Sequence, residues 1–410
     1  MHDLGVTSGK VYESGALVAT AGEGSVYQVE HDDSILLKIL TRPLTARAAE
    51  KLRTSAALQA KPSHAAIPIE VVLDPSTRSP VGFVQPYFAS AVPLTRTLDA
   101  HGRAALKLPN DLAFRVKLCR LLAEAFARVH AAHLVVGDVS DGNFLVGRNW
   151  LGHVTVAYVI DCNSFQVTLR TNRGNEFFPS GVATEEYAAP EVQPTDWSTS
   201  PRSVYSDGFG LAVLAWKLVY GGSHPFAVVT PRCVDVPPLG QRIEKRLFPF
   251  RPGSPLPAGW KPATIQPSLA VLPVEVRELF FRAFSSADPR DRATARQWCD
   301  VFRAWEIALT PSLPFRMLGA WNGSIADRVA APLSTFKPYL GRAFGFAALV
   351  TVALMTTRFD VSRSTAPNGV ESQPARLHSD SPRTKSNRPR NVDRDLFPEP
   401  IWNPSKPAKE

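Results

Sequence analysis

Residues 134–146 read LVVGDVSDGNFLV, a short polar loop between two apolar stretches. The loop places Asp138 and Asn143 five residues apart, after a helical apolar pattern and before a strand-like one. Eighteen residues after Asn143, Asp161 follows a second apolar strand pattern. Two oxygen ligands and a separate carboxylate suit Mg²⁺, which prefers oxygen donors and shares them with substrate phosphates. Either piece alone is also typical of an ordinary turn, but both in this order favour a phosphate-handling metal site.

A glycine-containing turn lies upstream, where residues 21–27 read AGEGSVY. Glycine lets backbone N–H groups approach a polyphosphate without interference from Cβ, although a plain hairpin turn uses the same residues. Fourteen residues after Gly24, Lys38 lies inside an apolar strand pattern. Burial of an ammonium group is costly without an anion beside it, so we expect a phosphate or carboxylate partner unless Lys38 reaches solvent from an edge strand. Glu50, in the next helical stretch, is the candidate carboxylate.

Together these motifs resemble those of eukaryotic-type protein kinases, as found widely in bacteria, over roughly residues 11–305. Residues 183–191, ATEEYAAPE, match the T-x-x-Y-x-A-P-E pattern that ends the activation segment in that family. Two further resemblances are structural rather than catalytic. Asp207 is similar to the buried aspartate that anchors the catalytic loop, and Arg292 is similar to the arginine that pairs with Glu191.

The resemblance implies a role for each candidate site residue. Asp138 is expected as the catalytic base, and Lys38 as the phosphate-binding lysine with Glu50 as its partner on the helix. Asn143 and Asp161 are expected as metal ligands. The implied cofactors are ATP and Mg²⁺, with Mn²⁺ as an alternative metal. The implied nucleotide contacts come from the glycine turn, the lysine and the last strand of the small lobe: Gly22, Glu23, Gly24, Ser25, Val26, Lys38, Gln85 and Tyr87.

The chain also departs from the family pattern. Val136 and Gly137 replace the His and Arg of the loop, so the arginine that usually reads a phosphorylated activation segment is missing. Ser140 replaces a lysine that contacts the transferring phosphate, which predicts slow turnover. Residues 161–166, DCNSFQ, are similar to the D-x-D-S-F-Q pattern of a divergent bacterial branch. Members of that branch are often encoded beside a phosphatase and a von Willebrand-type domain protein, which implies such partners in a signalling module.

The first functional hypothesis is therefore transfer of phosphate from ATP to Ser or Thr hydroxyls of a protein. A pseudokinase that binds ATP as a scaffold is the alternative, since the loop lacks its usual His, Arg and Lys. A kinase of small molecules shares the Asp and Asn arrangement but has no reason to keep residues 183–191. The formal charge of +9 comes with no nucleic-acid-binding motif, so no nucleic-acid partner is expected.

The wider pattern predicts an α+β, bilobal, protein-kinase-like domain over residues 11–310. Residues 11–85 alternate as strands around one helical stretch, 45–60, which predicts a small β-rich lobe. Residues 90–310 predict a larger helical lobe, with a Pro-rich interval at 227–272 that we expect to be a surface excursion. Its helices are predicted at 112–133, 207–220, 273–284 and 293–305.

Behind this domain we expect a linker over 311–337, a candidate membrane helix over 338–357 and a disordered tail over 358–410. The uncharged residues 343–357 make a helix only about 22 Å long. A bilayer core is about 30 Å thick. The five preceding residues supply the missing length if Arg342 reaches the headgroups. A helix packed on the larger lobe is the alternative.

The four cysteines are scattered without a C-x-x-C pair, which argues against a zinc site or a disulfide framework and predicts a reducing compartment. Residues 1–10 lack the apolar run of a secretory signal. We therefore expect the kinase-like domain in the cytoplasm, with a single-pass inner or cell membrane protein as the arrangement if 338–357 spans the bilayer.

Overall fold

The computed structural model describes residues 3–6, 10–171, 174–231, 235–254 and 256–310. The predictions for 311–337, 338–357 and 358–410 lie outside these residues. Within the described ranges, every helix is too short or too polar to cross a membrane.

The small lobe is built on six antiparallel strands: β1 (Asp3–Val6), β2 (Val11–Ala21), β3 (Gly24–Val29), β4 (Asp32–Leu40), β5 (Glu70–Leu73) and β6 (Pro80–Pro86). They close into a barrel in the order β1–β2–β3–β4–β6–β5. Strand β1 precedes residue 11, where we placed the start of the domain. Leu37, Val72 and Val84 are fully buried in the interior of the barrel. The predicted strand-rich lobe is therefore present, as a closed barrel with its own core.

Helix α1 (Ala46–Ala56) is the one helix expected in this lobe. Thr45 caps it, because its side chain accepts a hydrogen bond from the backbone N–H of Ala48 at 3.2 Å. Leu52 packs on the barrel against a small apolar cluster that includes Phe83. This packing decides which face of the helix is turned to the barrel and which is left for other contacts.

The larger lobe is mainly helical, and its four long helices confirm the four stretches predicted from apolar spacing. They are α3 (Leu112–Ala131), α4 (Val204–Val219), α6 (Val274–Ser285) and α7 (Ala295–Leu309), with the short helices α2 (Ala100–Ala105) and α5 (Leu239–Glu244) beside them. Ser203 and Thr294 begin α4 and α7 with reciprocal capping boxes, which satisfy backbone N–H groups in the first turn. Helix α4 is buried along most of its length and forms the centre of this lobe.

Two further groups of strands lie within residues 91–178. Strands β7 (Ala91–Pro93), β8 (Phe144–Arg148) and β9 (Val154–Val159) form a three-stranded antiparallel sheet. Strands β10 (Val167–Thr171) and β11 (Gly174–Phe178) form a hairpin that the sequence pattern did not predict. Because β8 and β9 are antiparallel neighbours, the loop before β8 and the loop after β9 meet at one edge.

The Pro-rich interval is not only a surface excursion, as we had expected. It forms a two-residue strand pair, β12 (Val228–Val229) with β13 (Lys261–Pro262), and it contains α5. Phe248 from this interval is buried, and its ring lies 5.5 Å from that of Trp216 on α4. Aromatic side chains thus tie the interval to the core, although its prolines exclude long helices.

We expect Phe248→Ala to lower the free energy of unfolding by about 3–5 kcal/mol, because it removes a buried ring from a packed aromatic cluster. Urea denaturation followed by tryptophan fluorescence measures this change. Val229→Ala in the same interval is the control, since Val229 is 56% exposed and should cost less than about 0.5 kcal/mol. Equal, small effects of the two variants would show that the interval does not belong to the core.

Candidate active site

The loop of residues 134–146 is held by one buried carboxylate. Asp207 on α4 is 1% exposed and accepts hydrogen bonds from the backbone N–H groups of Val136 at 2.8 Å and Gly137 at 2.9 Å. Its Oδ2 also lies 2.8 Å from Nε2 of His130, a contact that the sequence analysis missed. A buried carboxylate needs such partners, so the loop and α4 fix each other. The expectation that Asp207 anchors this loop is confirmed.

Asp138 and Asn143 lie together at the end of this loop. The side-chain amide of Asn143 donates to the backbone carbonyl of Asp138 at 2.9 Å and faces its carboxylate at 3.4 Å. The backbone carbonyl of Asn143 in turn accepts from the N–H of Ile160 at 2.9 Å, across the β8–β9 pair. This bond brings Asp161, the next residue, to the same edge of the sheet. The structure therefore gathers all three oxygen-bearing residues of the sequence motif.

Lys38 and Asp161 form the ion pair at the centre of the site. Lys38, 7% exposed on β4, donates to Oδ1 of Asp161 at 2.5 Å. It also donates to Oδ1 of Asn163 at 3.1 Å and to Glu23 at 3.3 Å. Asp161 adopts a left-handed backbone with φ of 58°, a conformation that aspartate tolerates better than most residues. Three oxygens thus surround the buried ammonium that the sequence predicted to need a partner.

The charged groups in the site shift one another's pKa values. Burial alone lowers the pKa of Lys38, but the charges of Asp161 and Glu23 and their hydrogen bonds raise it above its ordinary value. Burial raises the pKa of Asp138, with a smaller contribution from the negative charge of Asp161. Hydrogen bonds from Thr184 and Asn143 act in the opposite direction on Asp138. A raised pKa favours a carboxylate that can accept a proton near neutral pH.

The glycine turn lies beside Lys38. Gly22 and Glu23 connect β2 to β3, and Glu23 extends from the turn to the lysine. Gly24 must lack a side chain, because a Cβ atom there would collide with the backbone carbonyl of Ile39 on the neighbouring strand. The next two residues of the predicted set follow on β3: Ser25, 3.2 Å from the hydroxyl of Thr20, and Val26, directly opposite Lys38.

Gln85 and Tyr87, the other predicted nucleotide contacts, lie at the end of β6. Gln85 pairs with Leu36 on β4, two residues from Lys38 along that strand. Its side-chain oxygen is buried and has no hydrogen-bond partner among the described residues. The backbone N–H of Tyr87 donates to the carbonyl of Ser34 at 2.8 Å, which closes the strand pair. Gln85 thus offers a buried acceptor near the lysine strand.

Glu50 does not reach Lys38, so the predicted pair of these two residues is not formed. Glu50 is exposed, and its carboxylate lies 3.4 Å from Arg53 of the same helix. The packing of α1 on the barrel turns Glu50 toward solvent and Lys51, the next residue, toward the cleft. Lys51 donates to the backbone carbonyl of Pro179 at 2.8 Å instead of pairing with a carboxylate.

Residues 183–191 close the site on the side of the larger lobe. Thr184 donates from its hydroxyl to Oδ1 of Asp138 at 2.9 Å, a contact that the sequence analysis did not identify. Glu191 forms a bidentate pair with the buried guanidinium of Arg292, with N to O distances of 2.6 and 2.8 Å. The predicted pair of Arg292 with Glu191 is therefore confirmed, and it fixes the end of this segment.

Asn143 and Asp161 each keep an oxygen atom that could bind a metal ion. Over the described ranges, His, Cys, Asp and Glu side chains form no group of three or more that could hold one. Asn143 uses its amide nitrogen on Asp138, which leaves its oxygen as an acceptor, and Asp161 uses only one oxygen on Lys38. One amide oxygen and one carboxylate oxygen fit Mg²⁺, which completes its shell with waters and substrate phosphates.

A β-rich lobe and a helical lobe that meet at a Lys, Asp and Asn site fit a kinase-like fold. No protein-family model matches the chain. It is similar to "Protein kinase YegI" of Escherichia coli strain K12, 27% identical over 299 residues, which are 71% of this chain and 44% of that protein. The protein of the same name from Escherichia coli O157:H7 is 27% identical over 302 residues, 72% of this chain and 45% of that protein. The chain thus spans less than half the length of these curated relatives. The similarity supports a place among bacterial protein kinases.

We expect the stability of the wild type, relative to Lys51→Met, to increase between about pH 8 and pH 10.5. Burial lowers the pKa of Lys51 from 10.5 to about 8, although Glu23 and Asp161 act in the opposite direction. In this window the unfolded chain keeps a proton on Lys51 that the folded chain has released, so the free energy of unfolding rises with pH. Below about pH 8 the difference should be flat.

Urea denaturation of both proteins from pH 7 to pH 10.5 measures this difference. Arg53→Met is the control on the same helix, because its guanidinium stays protonated over the whole range. A flat difference for Lys51→Met across the window would contradict the burial of the Lys51 ammonium in the cleft.

Proposed function

We propose that residues 11–310 form a protein kinase domain that transfers the γ-phosphate of ATP to Ser or Thr hydroxyls of proteins. The observation that supports this most strongly is the convergence of Lys38, Asp138, Asn143 and Asp161 from three separate stretches of the chain on one site. Similarity to two proteins named protein kinase agrees with a phosphotransferase. Protein kinases use these residue types in phosphate transfer, although the pair of the lysine with a helix glutamate that they also use is not formed here.

Each residue has a proposed role. Asp138 orients the acceptor hydroxyl and accepts its proton, with its raised pKa favouring that step. The hydrogen bond from Thr184 keeps this carboxylate in place, beside the segment 183–191. Lys38 binds the nucleotide phosphates, and Asn143 and Asp161 hold Mg²⁺, or Mn²⁺ as an alternative. The metal supplies charge neutralisation at the phosphate oxygens when it is bound.

Nucleotide binding is supported by the groups near the lysine strand. The buried oxygen of Gln85 has no partner among the described residues, and such an acceptor suits the amino group of a purine such as adenine. Residues 22–26 and Tyr87 complete the proposed ATP contacts. Because Gly24 packs closely against Ile39 on strand β4, the turn stays near Lys38 on the same strand.

A protein acceptor is supported by the segment 183–191. Tyr187 is buried and lies 2.5 Å from Nζ of Lys217, which also pairs with Asp141 of the loop at 2.8 Å. Together with the bonds of Thr184 to Asp138 and of Arg292 to Glu191, this contact attaches the segment to the larger lobe in its middle and at both ends, as a platform for a peptide requires. We further propose a cytoplasmic domain of the divergent branch with the DCNSFQ pattern, working with a phosphatase or a von Willebrand-type domain partner.

A pseudokinase remains the second candidate, and one contact favours it. Glu23 places a carboxylate 3.3 Å from Lys38, on the ammonium that would bind phosphate. Ser140 supplies no charge where a lysine is usual, so the site has less positive charge to stabilise a transition state. A nucleotide must compete with this carboxylate before any transfer can occur.

We expect the purified full chain to label itself, or an unfolded protein acceptor, with ³²P from [γ-³²P]ATP and Mg²⁺. Asp138→Ala and Lys38→Ala should each lower the rate on the order of 100-fold or more, because they remove the base and the phosphate-binding charge. Chelation of the metal should abolish labelling. Glu50→Gln is the matched control and should keep most of the activity, because Glu50 faces solvent.

Two results would change this proposal. If the wild type gives no label while MgATP raises its melting temperature and Lys38→Ala abolishes that rise, the protein is a nucleotide-binding pseudokinase. If Glu50→Gln is as inactive as Lys38→Ala, the helix must rotate during the reaction so that Glu50 replaces Glu23 beside the lysine.

A further inference from the structure

Helix α1 presents two cations to the segment that leaves strand β11. Arg47 and Lys51 are four residues apart and therefore lie on one face of the helix. Arg47 donates to the backbone carbonyl of Phe177 at 2.8 Å. Lys51 donates to the carbonyls of Pro179 at 2.8 Å and Ser180 at 3.4 Å. Hydrogen bonds from charged donors are stronger than neutral ones, so these bonds hold the segment against the helix.

Packing strengthens the same contact. Phe178, between the bonded carbonyls, is buried in the core of the larger lobe. The guanidinium of Arg47 lies 5.4 Å from the centre of this ring, within the range of a cation–π contact. The small lobe and the larger lobe are therefore joined here by a ring and two cations.

The segment contacts the loop of residues 134–146. Ser180 packs against Gly137, where an added Cβ atom would lie 2.6 Å from the Cβ of Ser180. Gly137 has a φ of +74° and is bonded to Asp207. The next residue of the loop is Asp138, and four residues after Ser180 the chain reaches Thr184, which donates to Asp138. A displacement of Ser180 would therefore move both Asp138 and Thr184, the two partners of that hydrogen bond.

We propose that Lys51 and Arg47 are positioning residues that fix residues 177–180 to helix α1 and so hold Thr184 against Asp138 without a phosphate on the segment. The effect on phosphate transfer rests on the proposed function, whereas the contact itself does not. In this arrangement the cations of the helix bind backbone carbonyls of the segment. A contact between a loop arginine and a phosphorylated side chain of the segment is then not needed to hold it. The segment is ordered by the fold alone.

The exposed side of α1 provides the control. Glu50 and Arg53 pair with each other at 3.4 Å, with both side chains about half exposed. Arg53→Met removes a long cation from the same helix without touching residues 177–180. Lys51→Arg keeps a cationic donor at position 51, whereas Lys51→Met keeps only the bulk of the side chain.

Hydrogen exchange of the full chain, read by mass spectrometry on peptides that cover 174–187, tests the contact without any need for activity. Lys51→Met should speed exchange in this segment by about ten-fold, as expected for loss of a hydrogen bond from a charged donor. Lys51→Arg should restore most of the protection, and Arg53→Met should match the wild type. In the phosphate-transfer assay Lys51→Met should lower kcat by about ten-fold and leave KM for ATP nearly unchanged.

Unchanged exchange at 174–187 in Lys51→Met overturns the proposal, whatever happens to the activity. A raised KM for ATP with unchanged exchange would also overturn it, since Lys51 would then act on the nucleotide through its charge. If the wild type transfers no phosphate, the proposed function fails while the exchange result still decides on the contact. If Lys51→Met does not fold, Arg47→Gln at an exposed position replaces it, and exchange as slow as in the wild type overturns the proposal.

Discussion

The carboxylate of Asp207 is the constraint on which the site depends. It is almost completely buried, and it can remain so only because two backbone N–H groups of the loop and the ring of His130 surround it. If the carboxylate were removed, two buried backbone donors would lose their partners, each at a cost of about 1–3 kcal/mol. Asp138 follows Gly137 directly, and Asn143 is bonded to Asp138. The position of the proposed base and of one metal ligand therefore derives from a side chain that touches no substrate.

In the small lobe the main constraint is the burial of an ammonium group. Lys38 lies in an apolar strand, and Glu23, Asp161 and Asn163 together make that position stable. Two of these partners come from the larger lobe, so the lysine also joins the lobes. Glu23 comes from the two-residue turn between β2 and β3, and its carboxylate is about half exposed. Of the three partners, it is the one whose carboxylate a phosphate of the proposed nucleotide would replace at the smallest cost.

Much of this arrangement could be predicted from the sequence, because it depends on local pattern. Apolar spacing located the long helices and the polar loop, whereas the roles of Asp207 and Arg292 were implied by the resemblance to protein kinases. The partner of Lys38 could not be predicted, since helical spacing shows that Glu50 and Lys51 lie on different faces but not which face meets the cleft. That choice is made by Leu52, which packs on the barrel. The hairpin β10–β11 was also missed. Strand β10 does alternate, with Val167 and Leu169 apolar, but the pattern is only five residues long and β11 does not continue it. The buried Phe248 was missed because it lies in a Pro-rich interval with neither helical nor alternating apolar spacing.

The loss of the arginine from the loop is connected to this choice of helix face. Gly137 has a φ of +74°, where residues with a side chain are strained, and Ser180 occupies the space that a Cβ atom would need. An arginine at position 137 would thus displace the segment whose carbonyls bind Lys51 and Arg47. Conversely, a glutamate at position 51 would face those carbonyls with a negative charge and repel them. Gly137 in the loop and Lys51 on the helix therefore belong to one arrangement. In it the segment is held through its backbone carbonyls and not through the charge of a phosphorylated side chain.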